Sequence, residues 1–190
     1  MRKLKLQMNT TINGFVAGTN GELDWMTLNL DDEIKDFFNE LHEPVDLILL
    51  GRKMTDGFVK YWTDVFDNQP DNPMFPIAKK MIETPKIVFT KTLEKSDWDN
   101  TTLAKGDLTE EVNALKNKSG KDIIVYGGAG FVSSLIREDL IDEYNLFINP
   151  VAIGEGMTIF NGLDENFNLS LVKSKTFNNG KVAFRYVPKR

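Results

Sequence analysis

A chain of 190 residues, 41% hydrophobic and 27% charged, has the length and composition expected of one folded domain spanning residues 1–190. Without a single cysteine it offers no disulfide framework, thiolate nucleophile or Cys-ligated zinc site, and it suits the reducing cytoplasm, where we expect it. The net charge of −5 comes from 23 basic and 28 acidic residues with no basic stripe, which argues against nucleic-acid binding, and no apolar run approaches the ~20 residues that span a bilayer.

Residues 4–8 alternate Leu4, Leu6 and Met8 with Lys5 and Gln7, the pattern of an amphipathic strand. The stretch that follows is punctuated by Asn13, Gly14, Gly18, Asn20 and Gly21 and ends on Asp24 and Trp25. It reads as a mobile functional loop, or else as a solvated loop that Trp25 anchors to the core. Residues 31–41 put Ile34, Phe37, Phe38 and Leu41 on one helical face. Asp31 or Asp32 stands at the helix start, where a carboxylate favours the dipole, and Pro44 stops the helix. Residues 45–50, 86–90 and 122–126 are near-continuous apolar runs, as in parallel strands covered on both faces. Residues 66–73, rich in Asn, Asp and Pro, read as a loop. Helices are expected over 76–82, 108–117 and 131–137, and a further strand over 143–148. Residues 169–175 and 182–187 flank Asn178-Asn179-Gly180, a strong hairpin signal. This order implies a three-layer α/β fold whose sheet is mixed, mainly parallel, with a C-terminal antiparallel hairpin.

Three strand ends carry chemistry suited to an anion. After residues 123–126 come Gly127, Gly128, Ala129 and Gly130, where glycines admit a close ligand and a helix start offers free N–H groups. A tight turn with no ligand is the plainer alternative. The run is not a Rossmann fingerprint, because Ser133 stands where the third glycine belongs, and no GxxxxGK[ST] loop occurs. Residues 45–50 lead to Gly51, Arg52 and Lys53, with Thr55 following, a phosphate cradle or a solvated basic turn. Residues 86–89 lead to Thr90, Lys91 and Thr92. Ligands in open α/β sheets sit at the carboxyl ends of strands, so the agreement of the three weighs more than any one. His42, the only histidine, reads as a helix C-cap; with no second ligand at metal spacing, no metal site is expected.

Taken in order, Ile12-Asn13-Gly14-Phe15-Val16-Ala17-Gly18, Asp24-Trp25, Leu50-Gly51-Arg52-Lys53, Tyr126-Gly127-Gly128-Ala129-Gly130 and Asn149-Pro150-Val151-Ala152-Ile153-Gly154-Glu155-Gly156 resemble the dihydrofolate reductase superfamily. More narrowly, they resemble stand-alone relatives of the riboflavin-biosynthesis reductase domain, the RibD C-terminal family. The resemblance implies a dihydrofolate-reductase-like fold and an NADPH-dependent oxidoreductase. It sets Ala17 and Gly18 at the nicotinamide, and Gly51, Arg52, Lys53 and Thr55 at phosphates. Thr90 and Lys91 would lie near the adenosine end, and Gly127, Gly128, Ala129 and Gly130 at the pyrophosphate. It also implies a homodimer, with residues 144–156 a candidate for the contact. Dihydrofolate reductases carry an acid on the first helix, and Asp31 and Asp32 lie near that position. Asp31 or Asp32 is therefore the candidate proton source or substrate anchor, and Trp25 a candidate lid. Two features depart from the family: Met54 occupies the position where Thr often follows Gly-Arg-Lys, and the cysteines and H-x-E element of the deaminase domain are missing.

One inference about the substrate needs no family. From Leu6 through Ile34 there is no Lys or Arg, whereas Glu22, Asp24, Asp31, Asp32 and Glu33 are acidic. If this segment lines the substrate side, a phosphorylated substrate meets no cation there. The expected substrate is a neutral or cationic ring, pterin-like or pyrimidine-like, whose C=N or C=O accepts a hydride. The alternatives are the 5-amino-6-(5-phosphoribosylamino)uracil reductase of riboflavin biosynthesis and a non-catalytic nucleotide- or pterin-binding protein.

Overall fold

The apolar runs become the middle of one eight-stranded sheet in a computed structural model that describes residues 1–26 and 31–190. In chain order the elements are β1 (Leu4–Thr11), α1 (Asp32–His42), β2 (Val45–Gly51), α2 (Arg52–Asn68), α3 (Phe75–Glu83), β3 (Lys86–Phe89) and β4 (Thr101–Ala104). Then follow α4 (Leu108–Asn117), β5 (Asp122–Val125), α5 (Ala129–Arg137), β6 (Glu143–Asn149), β7 (Leu169–Thr176) and β8 (Val182–Pro188). Across the sheet the strands run β4-β3-β2-β5-β1-β6-β8-β7. The first six in this order are parallel, and β8 joins antiparallel to both β6 and β7.

Helices cover both faces, which is why the central strands read as unbroken apolar runs. On one face Val112 and Leu115 of α4 and Val132, Leu135 and Ile136 of α5 pack on Leu4, Leu6, Ile123 and Val125. On the other, Leu41, Val65, Ile77 and Met81 from α1, α2 and α3 pack on Ile48, Leu50, Val88 and Ile124. Ile34 and Phe37 of α1 extend that layer over Phe147 and Ala183. Each such aliphatic side chain contributes roughly 2 kcal/mol by leaving water. At the hairpin, Gly180 has φ +82° and donates its N–H to Phe177 O at 3.0 Å, so the Asn-Gly signal was a sound one.

Four expectations change. Strand β1 is not half solvated: it lies between β5 and β6, and Lys5 and Gln7 are as buried as their apolar neighbours. Lys5 tolerates this because Asp122 Oδ2 lies 2.9 Å from its Nζ. The predicted loop over residues 66–73 begins inside α2, which runs to Asn68. Met54, Phe58, Trp62, Val65 and Phe66 recur at helical spacing and face the same core, so the period overrides the turn-forming Asp67 and Asn68. Strand β4 was not foreseen; it is a four-residue edge strand with only Ala104 buried. Finally, β6 offers no free edge on which a second subunit could extend the sheet, because β1 and β8 pair with both of its sides. Within 144–156, the exposed residues lie in the loop after β6, Ala152 and Glu155 among them. Among the described residues, no helix is long and apolar enough to cross a membrane.

Candidate functional site

The three anion-friendly strand ends are neighbours, since β3, β2 and β5 adjoin in the sheet. At the centre, Gly51 N–H donates to Gly127 O at 3.1 Å, which joins the end of β2 to the turn after β5. The approach requires glycine: a Cβ on Gly51 would lie 2.7 Å from Phe131 Cβ, so α2 and α5 begin in direct contact. Gly127 has φ +145°, and a Cβ there would lie 3.2 Å from Met54 Sδ.

Gly51 caps α2 and Gly128 caps α5, both with extended backbone. Neither has a side chain to accept the first N–H groups, and neither helix carries an acid in its first turn. By contrast, Asp31 caps α1 through Ile34 N–H at 2.9 Å, and Asp107 caps α4 through Thr109 and Glu110. Two uncapped helix starts side by side concentrate partial positive charge, each worth about half an elementary charge. Arg52 and Lys53 are exposed beside them and have no ion pair among the described residues. This arrangement can hold a polyanion such as a pyrophosphate, with no metal required to bring the donors together.

Other predicted residues are committed within the protein. Thr55 is fully buried, and its Oγ1 donates to Gly51 O at 3.1 Å, fixing the first turn of α2 from inside. Thr90 Oγ1 accepts from Thr92 and Leu93 N–H at 3.1 Å each. Lys91 Nζ donates to Lys105 O and Gly106 O at 3.0 and 2.7 Å, so its ammonium ties down the segment after β4. Ala129 and Gly130 open α5, and a Cβ on Gly130 would meet open space.

The loop after β1 is tied rather than loose. Ile12 N–H donates to Val151 O at 2.9 Å, and Asn13 Nδ2 to Ile153 O at 2.7 Å. Ala17 bridges Met157, with Met157 N–H on Ala17 O at 2.8 Å, and Gly156 is required there because its Cβ would lie 2.3 Å from that oxygen. Gly18 N–H donates to Glu22 O, closing a turn that the Glu22 carboxylate braces at Asn20. These hydrogen bonds to Asn20 hold the Glu22 carboxyl below its ordinary range. Trp25 Nε1 is buried without a partner among the described residues. Asp31 spends one carboxylate oxygen on capping α1. Asp32 points to solvent and pairs with Lys35 at 3.0 Å.

A pair that the sequence did not single out lies directly before the glycines. Tyr126 donates its hydroxyl hydrogen to His42 Nε2, while His42 Nδ1 donates to Phe38 O at 2.5 Å. The imidazole stacks between Phe38 and Tyr126, at 5.3 and 5.8 Å between centroids. His42 is therefore a satisfied core histidine that links α1 to the glycine turn; the C-cap position belongs to Glu43. Burial lowers its pKa to about 4, which keeps the ring neutral and Nε2 an acceptor. Burial likewise pushes the Tyr126 phenol well above its ordinary value. The signal available in the sequence was an aromatic immediately before Gly127 and a histidine on the inner face of α1.

The RibD C-terminal domain family matches residues 2–183. The chain belongs to that family. Among individual relatives, the uncharacterized protein YyaP of Bacillus subtilis (strain 168) is 36% identical over 186 residues, covering 97% of this chain and 94% of YyaP. A solved structure from Shewanella sp. PV-4, assigned to riboflavin biosynthesis, superposes over 100% of both chains with a TM-score of 0.75 at 23% identity. The dihydrofolate reductase of Enterococcus faecalis, solved with NADP(H) and RAB-propyl, superposes with a TM-score of 0.64 at 18% identity, over 99% of this chain and 97% of that one. The fold is thus dihydrofolate-reductase-like, as a RibD C-terminal domain should be.

Proposed function

We propose that this RibD C-terminal domain is an NADPH-dependent reductase of a small, non-phosphorylated ring compound, pyrimidine-like or pterin-like. The observation that carries the reading is the contact between the uncapped N-termini of α2 and α5 through Gly51 N–H and Gly127 O, flanked by Arg52 and Lys53, which have no ion pair among the described residues. Donors and charges so placed fit the pyrophosphate and the extra phosphate of NADPH. When bound, NADPH supplies the hydride. Ala17 and Gly18, fixed by Met157 and Glu22, orient the nicotinamide end. Of the two acids, Asp31 is the substrate anchor, because its second oxygen has no hydrogen-bond partner among the described residues, whereas Asp32 faces water beside Lys35. Trp25 closes over the substrate, and two chains associate through the loop after β6.

The test is oxidation of NADPH against paired pyrimidines and pterins, each with and without a phosphate. The expected result is turnover of the unphosphorylated members. Preference for the phosphorylated members would return the chain to the ribose-phosphate reaction of riboflavin biosynthesis. Binding of NADPH without turnover of any ring would leave a ligand-binding protein.

A further inference from the structure

Asn9 of β1 and Asn149 of β6 lie at the carboxyl ends of adjacent parallel strands, where Asn9 pairs across from Phe147 and Asn149 from Thr11. Both share the face covered by α1, whose Phe37 and Phe38 rings stand 5.4 and 5.3 Å from Phe147. Asn149 is 1% exposed. Its Nδ2 lies 3.2 Å from each of three oxygens: Asn9 Oδ1, Thr10 O and Phe147 O. Those three acceptors fix the amide, since turning it over would set oxygen against oxygen. Asn149 Oδ1 therefore faces away from them, buried and without a hydrogen-bond partner among the described residues. The same contact orients the half-buried Asn9, whose oxygen is taken and whose Nδ2 has no partner among the described residues.

A buried acceptor left open costs about 1–3 kcal/mol, so buried polar atoms are nearly always paired. Here an acceptor and a donor on adjacent strands lack hydrogen-bond partners among the described residues, at the strand ends where open α/β sheets receive their ligands. We infer that Asn9 and Asn149 are specificity-determining residues that read a cyclic amide, the –NH–C(=O)– edge of a heterocycle. The ring N–H donates to Asn149 Oδ1, and the ring carbonyl accepts from Asn9 Nδ2. A phosphate or carboxylate does not satisfy the pair, because neither supplies the donor that Asn149 lacks. The nearest cation of β1 on this face, Lys5, is already held by Asp122. The inference rests on the reductase reading for its setting and names the substrate edge which that reading leaves open.

The experiment titrates nitrogen-15-labelled protein, with and without NADPH, using lumazine and uracil and their 1,3-dimethyl derivatives, in which N–CH3 replaces N–H. The side-chain amide signals of Asn9 and Asn149 report binding. The expected result is that a parent ring shifts both signals and binds at least about tenfold tighter than its dimethyl partner. Asn9→Asp keeps the oxygen that Asn149 needs but turns the outward donor into an acceptor. It should lower affinity for the parent ring at least about tenfold and abolish the preference over the dimethyl form, with the NADPH Kd unchanged. A purely structural role for the pair would leave that preference untouched. Equal binding of parent and dimethyl rings, no binding of either in both conditions, or an Asn9→Asp protein that binds like wild type would each overturn the inference. Loss of NADPH binding alone would remove the reductase reading, while ring-amide preference in the NADPH-free protein would still decide the role of the asparagines.

Discussion

At the β2–β5 half of the sheet's carboxyl edge, glycine occupies the positions where strands meet helices, and the N–H groups there have no side-chain caps. At the β1–β6 half, the strand ends run into loops bound to each other by hydrogen bonds between residues 12–17 and 151–157. One half leaves its first helical N–H groups without side-chain caps; the other spends its backbone on itself and leaves selected side-chain atoms without partners among the described residues. A cofactor common to many enzymes can be read by backbone and charge. A particular substrate calls for side chains that differ from one relative to the next. The His42–Tyr126 bond joins the two halves, from α1 to the residue before Gly127.

The largest expected effect comes from forcing apart the first half. Gly51→Ala places a methyl 2.7 Å from Phe131 Cβ, so α2 and α5 must separate. Overpacking of this kind costs about 1–3 kcal/mol, and the variant should melt several degrees lower and lose NADPH binding. Unaltered melting and affinity would mean that the two helix starts do not cooperate.

The link between the halves predicts a comparable effect through pH. His42 is neutral in the folded protein down to about pH 4, whereas in the unfolded chain it takes up a proton near 6.5. The unfolded state therefore binds more protons between these values, and stability should fall as pH drops from about 6.5 to 4, by up to roughly 3 kcal/mol. The ring is surrounded by Phe38, Tyr126 and the more distant positive charges of Lys80 and Lys5, none of which rescues the imidazolium. Denaturant titrations across this range should show the slope in wild type and its loss in His42→Gln. Tyr126→Phe is a smaller change. It leaves His42 Nε2 buried without a donor, for a loss of about 1–3 kcal/mol measured by urea unfolding. The smallest effect is a control for the cofactor half: Gly57→Ala, inside α2 with open space around it, should raise stability by up to about 1 kcal/mol and leave NADPH affinity alone.

In the first half the sequence marks where the strands end and helices begin, through glycines that follow apolar runs, but leaves open whether the turns hold an anion. The structure brings two of those turns into contact, through Gly51 N–H and Gly127 O. The limits of that reading appear at Thr55 and Lys91, which have suitable chemistry but are committed to carbonyls within the chain. The second half was hidden by the assumption that polar residues alternating in a strand face water. Lys5, Gln7 and Asn9 instead face a covered layer, where Lys5 meets Asp122 and Asn9 meets Asn149. Only the position of β1 between β5 and β6 reveals this, and strand order follows from long-range pairing that no local pattern encodes. Helix α2 escaped for a different reason: its opening Gly51-Arg52-Lys53 and internal Gly57 look like a loop, although Met54, Phe58, Trp62 and Val65 carry a clear helical period.

The central claim is that the paired starts of α2 and α5 hold NADPH, and calorimetric titration of the wild-type and Arg52→Ala proteins with NADPH and NADH tests it most directly. The account predicts that wild type binds NADPH more tightly than NADH. It also predicts that Arg52→Ala loses about tenfold or more in NADPH affinity, with little change for NADH, because a charge-assisted contact to the extra phosphate is worth roughly 1.5–3 kcal/mol. A wild-type protein that binds neither nucleotide would contradict the claim, and equal losses for both nucleotides in the variant would contradict the role given to Arg52.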